Sequence, residues 1–307
     1  MISYWKTIEG KMTAVDAMER GCWVDVVNPT PDEVAYLVDT LHLDEGFVRS
    51  SLDEEETSRI ETEDDQTLII IDAPSMRREE EGIIYSTLPI GIILTEEQIY
   101  TICSEEAPVL KDFSEGLVKN CKTQQKTRFL LTILLRVATR FHQYLKQIDK
   151  ISGFIERQLH RSMKNKELIQ LLDLQKSLVY FSTSLKADEI TMEKIYRGRT
   201  IKLYEEDQDL LEDVLIEIKQ AIEMSNIYSN ILTGTMDAFA SVISNNLNIV
   251  MKVLTSITIL MAIPTMISGF YGMNVSDMPL PQFGFPLLLS VVAIAVAAFI
   301  LHKKDML

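Results

Sequence analysis

Residues 253–301, with the sequence VLTSITILMAIPTMISGFYGMNVSDMPLPQFGFPLLLSVVAIAVAAFIL, decide the fold of this chain. No charged residue occurs in 253–276 or in 278–301. Each run is long enough for a helix that crosses a hydrocarbon layer, which takes about 20 residues. The turn that joins them, at 271–274, is short. The sequence therefore predicts two neighbouring antiparallel helices whose outer ends lie on the same side of a membrane.

The composition of the chain distinguishes this hairpin from the other residues and argues against a nucleic-acid-binding function. The chain has 307 residues. Roughly the first 250 contain no apolar run of membrane length, which leaves enough residues for a sizeable soluble core. The formal net charge is −15. Because phosphate binding needs a basic surface, such an acidic chain is a poor candidate for a nucleic-acid partner, whereas its field attracts cations.

The N-terminal part has the sequence features of a cytosolic domain. The chain has three cysteines without C-x-x-C spacing, which is typical of reduced thiols. The N-terminus lacks the apolar segment of a signal peptide. We therefore expect the large N-terminal part to stay inside the cell.

The first ~105 residues combine strand and helix patterns, which predicts a mixed α/β domain. Residues 22–27 have the pattern of a strand. A helix is expected next, because Thr30 can cap it, Pro31 suits its first position and Glu33 completes a capping box. Its apolar face would consist of Val34, Leu37, Val38 and Leu41. Further short β-branched runs predict strands at 68–71, 88–94 and 98–103.

Beyond about residue 122 the apolar spacing changes to the three-and-four pattern of helices. The pattern predicts one helix over 130–159, a polar break at 161–166, and a second helix marked by apolar residues over 168–185 and ended by Gly198. A third helix should begin near Tyr204 or Asp207 and continue into the first apolar run. At about 1.5 Å per residue it would approach ~90 Å, so it needs partner helices alongside.

These patterns divide the chain into three parts. We expect a cytosolic α/β domain over 1–121 and long cytosolic helices over 122–247. A transmembrane hairpin should occupy 248–307, with spans at about 251–271 and 283–302. Lysines lie near the outer ends of both spans and none lies in the connecting loop, which predicts cytoplasmic termini and an external turn: Lys252, Lys303 and Lys304.

A polar seam follows the third helix into the membrane. Its members recur in alternating steps of four and three, a seven-residue repeat that keeps one side of a helix facing a partner: Asp237, Ser241, Ser244, Asn248, Met251, Thr255, Thr258, Ala262, Thr265 and Gly269. A row of threonines gains nothing from contact with lipid. The seam therefore faces other helices or water.

Two interpretations of the seam remain open at this point. Small and hydroxyl-bearing residues allow close packing and hydrogen bonds between helices. Alternatively, several parallel copies of the chain each contribute the seam to a central path. Asp237 and Asn248 favour the path, because identical carboxylates around one axis repel each other strongly unless cations pass between them.

The turn between the spans carries a resemblance to a known family. Tyr271-Gly272-Met273-Asn274 between two C-terminal spans, with a short loop and a basic end, resembles the CorA family of magnesium and cobalt transport proteins. Upstream, Asp237, Asn248 and the stretch 251–255 (Met-Lys-Val-Leu-Thr) lie where that family places its pore helix. The resemblance implies a funnel-shaped homopentamer in the cell membrane, in which each chain has a cytosolic α/β domain, a long stalk helix and a two-helix hairpin.

The chemistry of the turn suits Mg²⁺, which prefers octahedral oxygen ligation and gives up its waters reluctantly. Under the resemblance, Gly272, Met273 and Asn274 form a selectivity filter whose carbonyl oxygens accept hydrogen bonds from a hydrated ion. Asn248 offers a second side-chain carbonyl at the inner end, and Asp277 would attract cations at the external mouth.

The other residues of the path would control conduction. Met251 and Leu254 form an apolar constriction that gates by dewetting. The further lining residues are Asp237, Asn248, Thr255, Thr258, Thr265 and Gly269. An inside-negative potential would then drive influx of hydrated Mg²⁺, with Co²⁺ and Ni²⁺ as further octahedral ions.

The resemblance also implies feedback by intracellular Mg²⁺ bound between subunits, which closes the pore. Asp213 matches the stalk position of the regulatory metal site and lies in an acidic stretch, 205–217. Its partner on a neighbouring subunit is not fixed by the sequence; the candidates are Glu79, Glu80 and Glu81.

Three other functions fit the sequence less well than a magnesium channel does. An enzyme is disfavoured because the sequence has no phosphate-binding loop with lysine, no HExxH and no GxSxG. A membrane-anchored sensor without transport leaves the threonine seam unexplained. A related transporter of Zn²⁺ or another divalent cation is the nearest alternative, but softer ions prefer His or Cys, which neither the seam nor the turn contains.

Overall fold

The computed structural model describes residues 1–79, 82–119, 121–162, 165–198, 201–273, 280, 282, 284–304 and 306. The strands are β1 (Ile2–Ile8), β2 (Lys11–Val15), β3 (Trp23–Val27), β4 (Arg59–Glu63), β5 (Gln66–Glu79), β6 (Gly82–Leu94) and β7 (Ile99–Cys103). The helices are α1 (Pro31–Ala35), α2 (Glu45–Ser50), α3 (Pro108–Ser114), α4 (Lys126–Ser162), α5 (Asn165–Arg197), α6 (Glu205–Tyr271) and α7 (Gly284–Lys303). Contacts group the chain into two compact units, Met1–Gly234 and Thr235–Leu307.

The strands form one sheet in the order β2-β1-β3-β7-β6-β5-β4. Only β3 and β7 pair in parallel, with Val24 opposite Tyr100; the other described pairs are antiparallel. Leu68 and Ile70 of β5 belong to the core cluster that contains Phe47 of α2. Their neighbours Ile69 and Ile71 point to the other face because side chains alternate along a strand, and they are also fully buried. Burial on both faces explains why the predicted strand at 68–71 is an unbroken apolar run.

The predicted N-terminal capping box is present at α1. The Thr30 hydroxyl accepts a hydrogen bond from the backbone N–H of Glu33, and the Glu33 carboxylate accepts one from the backbone N–H of Thr30. The helix continues into one turn of π-helix, Tyr36–Thr40, in which Leu37 is buried. The local signals therefore placed the helix start correctly but did not indicate the change of helix type.

A buried hydrogen-bonded chain lies behind the parallel strand pair. The indole Nε1–H of Trp23 donates to the Thr101 hydroxyl at 2.8 Å, and that hydroxyl donates to the Asp25 carboxyl at 2.8 Å. The Trp23 ring also packs against Phe113 and Phe129, with centroids 6.2 and 5.5 Å apart. Burial raises the pKa of Asp25 to about 6, although the hydrogen bond from Thr101 acts in the opposite direction.

Helices α4 and α5 pack on this face of the sheet through aromatic contacts. The rings of Phe141 and Phe181 meet edge to face with centroids 5.1 Å apart, and Tyr85 of β6 lies 6.2 Å from Phe181. All three side chains are fully buried. The helix pattern read from residue 122 onward is therefore the apolar side of α4 and α5 that covers the sheet.

Helices α6 and α7 contain the two apolar segments predicted to cross the membrane. Both pass the length and composition criteria for a membrane span, and little of either segment is buried within the chain. Helix α6 is continuous from Glu205 to Tyr271 and contains Pro264 without ending there. The predicted combination of an α/β domain, a long helix and two C-terminal apolar helices is confirmed.

Candidate ion path

The predicted lining residues all lie on α6 within the second unit, and all of them are exposed in the single chain: Asp237, Asn248, Met251, Leu254, Thr255, Thr258, Thr265 and Gly269. An α-helix turns by about 100° per residue, so residues spaced by alternating threes and fours stay on one side. The polar seam is therefore one exposed surface of a single helix.

The opposite side of α6 is the side that packs within the chain. Its members are buried or half-buried and recur at helical spacing: Ser256, Leu260, Ile263, Ile267 and Tyr271. The Ser256 hydroxyl donates to the backbone carbonyl of Met306 at 2.7 Å, and the Tyr271 ring lies 6.4 Å from that of Phe285 at the start of α7. At about 100° per residue, the seam lies roughly opposite this packed side. Helix α7 therefore leaves the seam uncovered.

Three hydroxyl groups of the seam, those of Ser241, Thr258 and Thr265, are oriented by their own helix. The Thr258 hydroxyl donates to the Leu254 carbonyl at 2.8 Å, and the Thr265 hydroxyl donates to the Met261 carbonyl at 3.0 Å. Each hydroxyl uses its only proton in this bond, so its oxygen lone pairs remain available as acceptors. A water molecule in the first shell of a cation is a strong hydrogen-bond donor, and the seam can therefore interact with a hydrated cation through these oxygens.

A concave region of about 600 Å³ lies along the same part of α6. It is lined by Leu254, Ile257, Thr258, Met261, Ala262, Thr265 and Met266. Leu254, Thr258 and Thr265 were predicted from the sequence as lining residues, whereas Ile257, Met261 and Met266 were not. Met261 could have been found, because it is three residues from Thr258 and four from Thr265.

The proposed filter begins at the end of α6. The Gly272 N–H donates to the Ser268 carbonyl at 2.9 Å, and the Met273 N–H donates to the Phe270 carbonyl at 3.3 Å. A Cβ at Gly272 would approach the Ser268 carbonyl oxygen to 3.2 Å, so glycine suits this tight helix end. Asn274 and Asp277, which were predicted for the filter and the external mouth, lie outside the described residues.

Asp213, the predicted regulatory ligand, lies on the part of α6 that belongs to the first unit, and its side chain is exposed. Neighbouring acids have local partners: Glu206 pairs with Arg128 at 2.8 Å, and the Glu217 carboxylate lies 3.0 Å from His142. Across the described residues, no group of three or more His, Cys, Asp or Glu side chains could hold a metal ion. Two of the three predicted partners of Asp213, Glu80 and Glu81, are outside the described residues, as is the side chain of Glu79.

The contact between Ser256 and the C-terminal tail was not predicted from the sequence. Ser256 is fully buried although it lies within an apolar span. Its hydrogen bond to Met306 ties the tail to the first span, and the Met306 N–H in turn donates to the Leu301 carbonyl at 3.1 Å. The sequence signal was a serine on the side of α6 away from the seam, where an unpartnered hydroxyl is unfavourable in lipid.

Comparison with known proteins supports a transport function. A family model described as CorA-like Mg2+ transporter protein matches residues 19–303. The cobalt/magnesium transport protein CorA of Methanocaldococcus jannaschii is 30% identical over 293 residues, which cover 92% of this chain and 89% of that protein. The magnesium transport protein CorA of Helicobacter pylori is 21% identical over 286 residues, or 91% of this chain and 87% of that protein.

The structural comparison agrees with the sequence comparison. The complete structure of the CorA magnesium transporter from Methanocaldococcus jannaschii matches with a TM-score of 0.81 and 25% sequence identity. The match covers 99% of this chain and 96% of that one. The similarity therefore includes the α/β domain, the long helix and the C-terminal hairpin.

Proposed function

This chain belongs to the family of CorA-like Mg2+ transporter proteins, and from that membership we propose that it forms a channel for influx of hydrated Mg²⁺ through the cell membrane. Family members are transporters of Mg²⁺ rather than enzymes, and the two apolar C-terminal helices make the chain a membrane protein. The channel mechanism, the direction of flux and its control are the further steps of the proposal.

The observation that carries the proposal is the position of the polar seam on α6. The seam lies opposite the side of α6 that packs within the chain, so α7 does not cover it. Threonine and asparagine side chains in lipid would gain nothing from such a position. Several copies that turn this surface towards a common axis would give the polar residues an aqueous path and leave the apolar surface of α7 to lipid.

The resemblance to the CorA family implies that five copies surround the path. Asp237 and Asn248 would then form rings at the inner end of the path. A ring of exposed carboxylates repels itself strongly, and this repulsion is relieved when cations occupy the path. Both termini would be cytoplasmic, with the turn after Tyr271 on the outside.

The filter would consist of Gly272, Met273 and Asn274, with Asp277 at the external mouth. Carbonyl oxygens without a full negative charge can accept hydrogen bonds from the waters of Mg²⁺ without binding the ion too tightly to release it. Thr255, Thr258, Thr265 and the backbone at Gly269 would continue a surface rich in acceptors below the filter.

Gating would take place at the apolar side chains of Met251 and Leu254, which are exposed on α6. A narrow ring of such side chains excludes water and stops conduction when it closes. When it opens, an inside-negative potential pulls a divalent ion inward with about 4.6 kcal/mol per 100 mV, twice the value for a single charge.

Intracellular Mg²⁺ would close the channel by binding at Asp213 between neighbouring subunits. Asp213 is exposed and lies in an acidic stretch, so the approach of a second subunit with acidic side chains would be unfavourable without a bridging cation. Loss of cytosolic Mg²⁺ would then release the stalk helices from each other and favour the open state.

The decisive experiment is Mg²⁺ flux into proteoliposomes that contain a fluorescent indicator and carry an imposed inside-negative potential. Influx blocked by cobalt hexaammine, which mimics a hydrated ion, is the expected result. Flux of Zn²⁺ or Co²⁺ without Mg²⁺ would indicate the alternative divalent-cation transporter. Absence of any flux, or a dimeric state in mild detergent, would contradict the central path.

Two substitutions test the path itself. Asn274→Ala removes the filter carbonyl and should lower Mg²⁺ flux at least about tenfold, the effect of ~1.4 kcal/mol. Thr258→Val keeps the shape of the side chain but removes its acceptor oxygen and should lower flux by a smaller factor. Ser290→Ala is the matched control, because the Ser290 hydroxyl donates to its own helix at Pro286 but lies on α7. Equal flux in all four proteins would refute the lining assignment.

Asp213→Ala tests the proposed regulation. Wild-type channels should lose activity as Mg²⁺ rises on the cytosolic side, and the variant should remain active at concentrations that close the wild type. Asp173→Ala, a carboxylate on α5, serves as the control for loss of one surface charge. Unchanged inhibition in Asp213→Ala would make Asp213 an ordinary surface residue.

A further inference from the structure

Asp188 lies on the face of α5 that packs against the sheet, and no part of its side chain is exposed. Its Oδ1 accepts two hydrogen bonds, from the Ser58 hydroxyl at 2.7 Å and from the backbone N–H of Asp72 at 2.9 Å. Ser58 directly precedes β4, and Asp72 belongs to β5. One carboxylate oxygen of α5 thus contacts β5 and the residue that leads into β4 at this edge of the sheet.

Two buried oxygens next to these contacts have no hydrogen-bond partner among the described residues. They are the second carboxylate oxygen of Asp188, Oδ2, and the hydroxyl of Thr191. Thr191 follows Asp188 by three residues on the same face of α5 and is also fully buried. A buried oxygen without a partner loses the hydrogen bonds that water gave it in the unfolded chain, which costs about 1–3 kcal/mol.

Negative charge is concentrated at the same place. The Asp72 carboxyl is the charge that acts on Asp188, and no Lys, Arg or His pairs with either residue in the described part of the chain. Burial raises the pKa of both carboxyl groups, and the charge of Asp72 raises that of Asp188 further. Buried carboxylates without a counter-ion are strongly unfavourable, so a cation or a proton must neutralise them.

We propose that Asp72 and Asp188 bind a divalent cation of the Mg²⁺ type inside the first unit, with the Asp188 Oδ2 atom and the Thr191 hydroxyl as further contacts. This site is separate from the polar seam and from Asp213. It does not depend on transport, because both carboxylates belong to one chain.

The oxygen atoms that surround the site determine which class of metal ion fits it. The surrounding polar groups are oxygens, with the hydroxyls of Thr87 and Ser184 hydrogen-bonded to each other at 3.0 Å beside Asp72 and Asp188. Oxygen ligands without His or Cys suit hard cations rather than Zn²⁺ or Cu²⁺. Mg²⁺ is commonly held by one or two carboxylates and keeps several of its waters, and two carboxylates neutralise its charge. Asp72 is half-buried rather than fully buried, which leaves a route by which an ion can enter the site.

Mg²⁺ binding at this site would compete with protonation of the Asp72 and Asp188 carboxyl groups. Carboxylates must be deprotonated to bind a metal, so protons compete with Mg²⁺ for the buried oxygens of Asp72 and Asp188. Affinity should therefore increase as pH rises, and any proton held at the site should be released into the buffer when Mg²⁺ binds. In structural terms the ion would fix α5 to β4 and β5.

The test is isothermal titration calorimetry of Mg²⁺ into the full-length detergent-solubilised protein with the Asp213→Ala substitution, which removes the proposed stalk site. Titrations in two buffers of different ionisation enthalpy count the protons released. Asp188→Asn preserves the shape and the two hydrogen bonds to Oδ1, and it should lower the affinity of this site at least tenfold and abolish proton release. Asp173→Asn, on the same helix but outside the cluster, should leave both unchanged.

Thr191→Val should weaken binding by a smaller factor, and Asp72→Asn replaces Asp188→Asn if the latter does not fold. The proposal is overturned if the Asp213→Ala background has no Mg²⁺ site that releases protons on binding, or if such a site persists with equal affinity in Asp188→Asn. In either case a proton alone neutralises the carboxylates. Because the readout is binding, a channel that fails to conduct would leave the result valid.

Discussion

Apolar side chains face opposite surroundings in the two units of this molecule. In Met1–Gly234, the large aromatic residues Trp23, Phe141 and Phe181 are fully buried. In Thr235–Leu307, Leu288 and Phe299 of α7 are 63% and 70% exposed. The same residue types thus stabilise a core in one unit and form a surface in the other, which requires an apolar solvent around the second unit.

The polar side chains complete the contrast. In the first unit, many buried polar groups bond to other elements of the same unit, as Trp23, Thr101 and Asp25 do. In the second unit, Thr258 and Thr265 are exposed and bond only to their own helix among the described contacts. A polar surface on a membrane helix therefore needs a partner from outside the chain, whereas Trp23, Thr101 and Asp25 find their partners inside the first unit.

The largest expected effect concerns one aromatic truncation made in both units. Phe181→Ala leaves a cavity in the cluster with Phe141 and Tyr85 and should destabilise the first unit by about 3–5 kcal/mol. Phe299→Ala should leave the stability of the first unit unchanged, because Phe299 is exposed on α7 in the second unit. Both tryptophans, Trp5 and Trp23, lie in the first unit, so urea unfolding followed by tryptophan fluorescence measures it selectively. Equal shifts of the urea unfolding midpoint in the two variants would contradict the proposed difference between the two units.

A charge introduced on an exposed apolar residue should have the next largest effect, and only in the second unit. Leu288→Arg on α7 should disfavour membrane insertion by about 3 kcal/mol. Leu172→Arg on α5, also at an exposed leucine, should have little effect on insertion. The fraction of protein recovered in the membrane after cell-free synthesis with vesicles measures both. Normal insertion of Leu288→Arg would mean that this side of α7 does not face lipid.

Asp25 provides a pH-dependent test of the first unit. Its pKa is raised to about 6 in the folded protein by burial, from 3.8. The folded state therefore binds the proton more tightly, and the contribution of Asp25 to stability is lost as pH rises from about 4 to above 6. Asp25→Asn keeps an acceptor for Thr101 and should be more stable than the wild type at pH 7, by up to about 3 kcal/mol. The difference between the two urea midpoints should shrink as the pH is lowered to 4; a constant difference would contradict the raised pKa.

The smallest expected effect is local. Thr30→Ala removes the N-cap of α1 and should destabilise the first unit by about 1 kcal/mol. If the capping box acts as a unit, Glu33→Ala should cost less in the Thr30→Ala background than in the wild type, because mainly the 3.0 Å contact of Glu33 with the Met1 ammonium group then remains to be lost. Additive losses in a double-mutant cycle of urea midpoints would instead indicate two independent contacts.

Much of the architecture was predictable because its signals are local. The cap at Thr30, the strand at Trp23–Val27 and the start of α6 at Glu205 follow from neighbouring residues. Strands β1, β2 and β4 were not predicted. Strands β2 and β4 are the two edges of the sheet and β1 is next to β2. All three are mostly half-buried or exposed, so their sequences lack the apolar run that marks β5 and β7. Such strands form because a neighbouring strand offers hydrogen bonds, which a single segment does not reveal.

The candidate sites divide in the same way. The sequence by itself determined the two membrane helices and the seven-residue spacing of the polar seam, since an uncharged run of about 20 residues and a helical period are properties of consecutive residues. Only the tertiary structure decided that the seam is opposite the packed side of α6, that Ser256 meets Met306, and that Asp188 meets Asp72 from 116 residues away. These contacts depend on how distant elements pack, and no local pattern encodes which face of a helix another element covers.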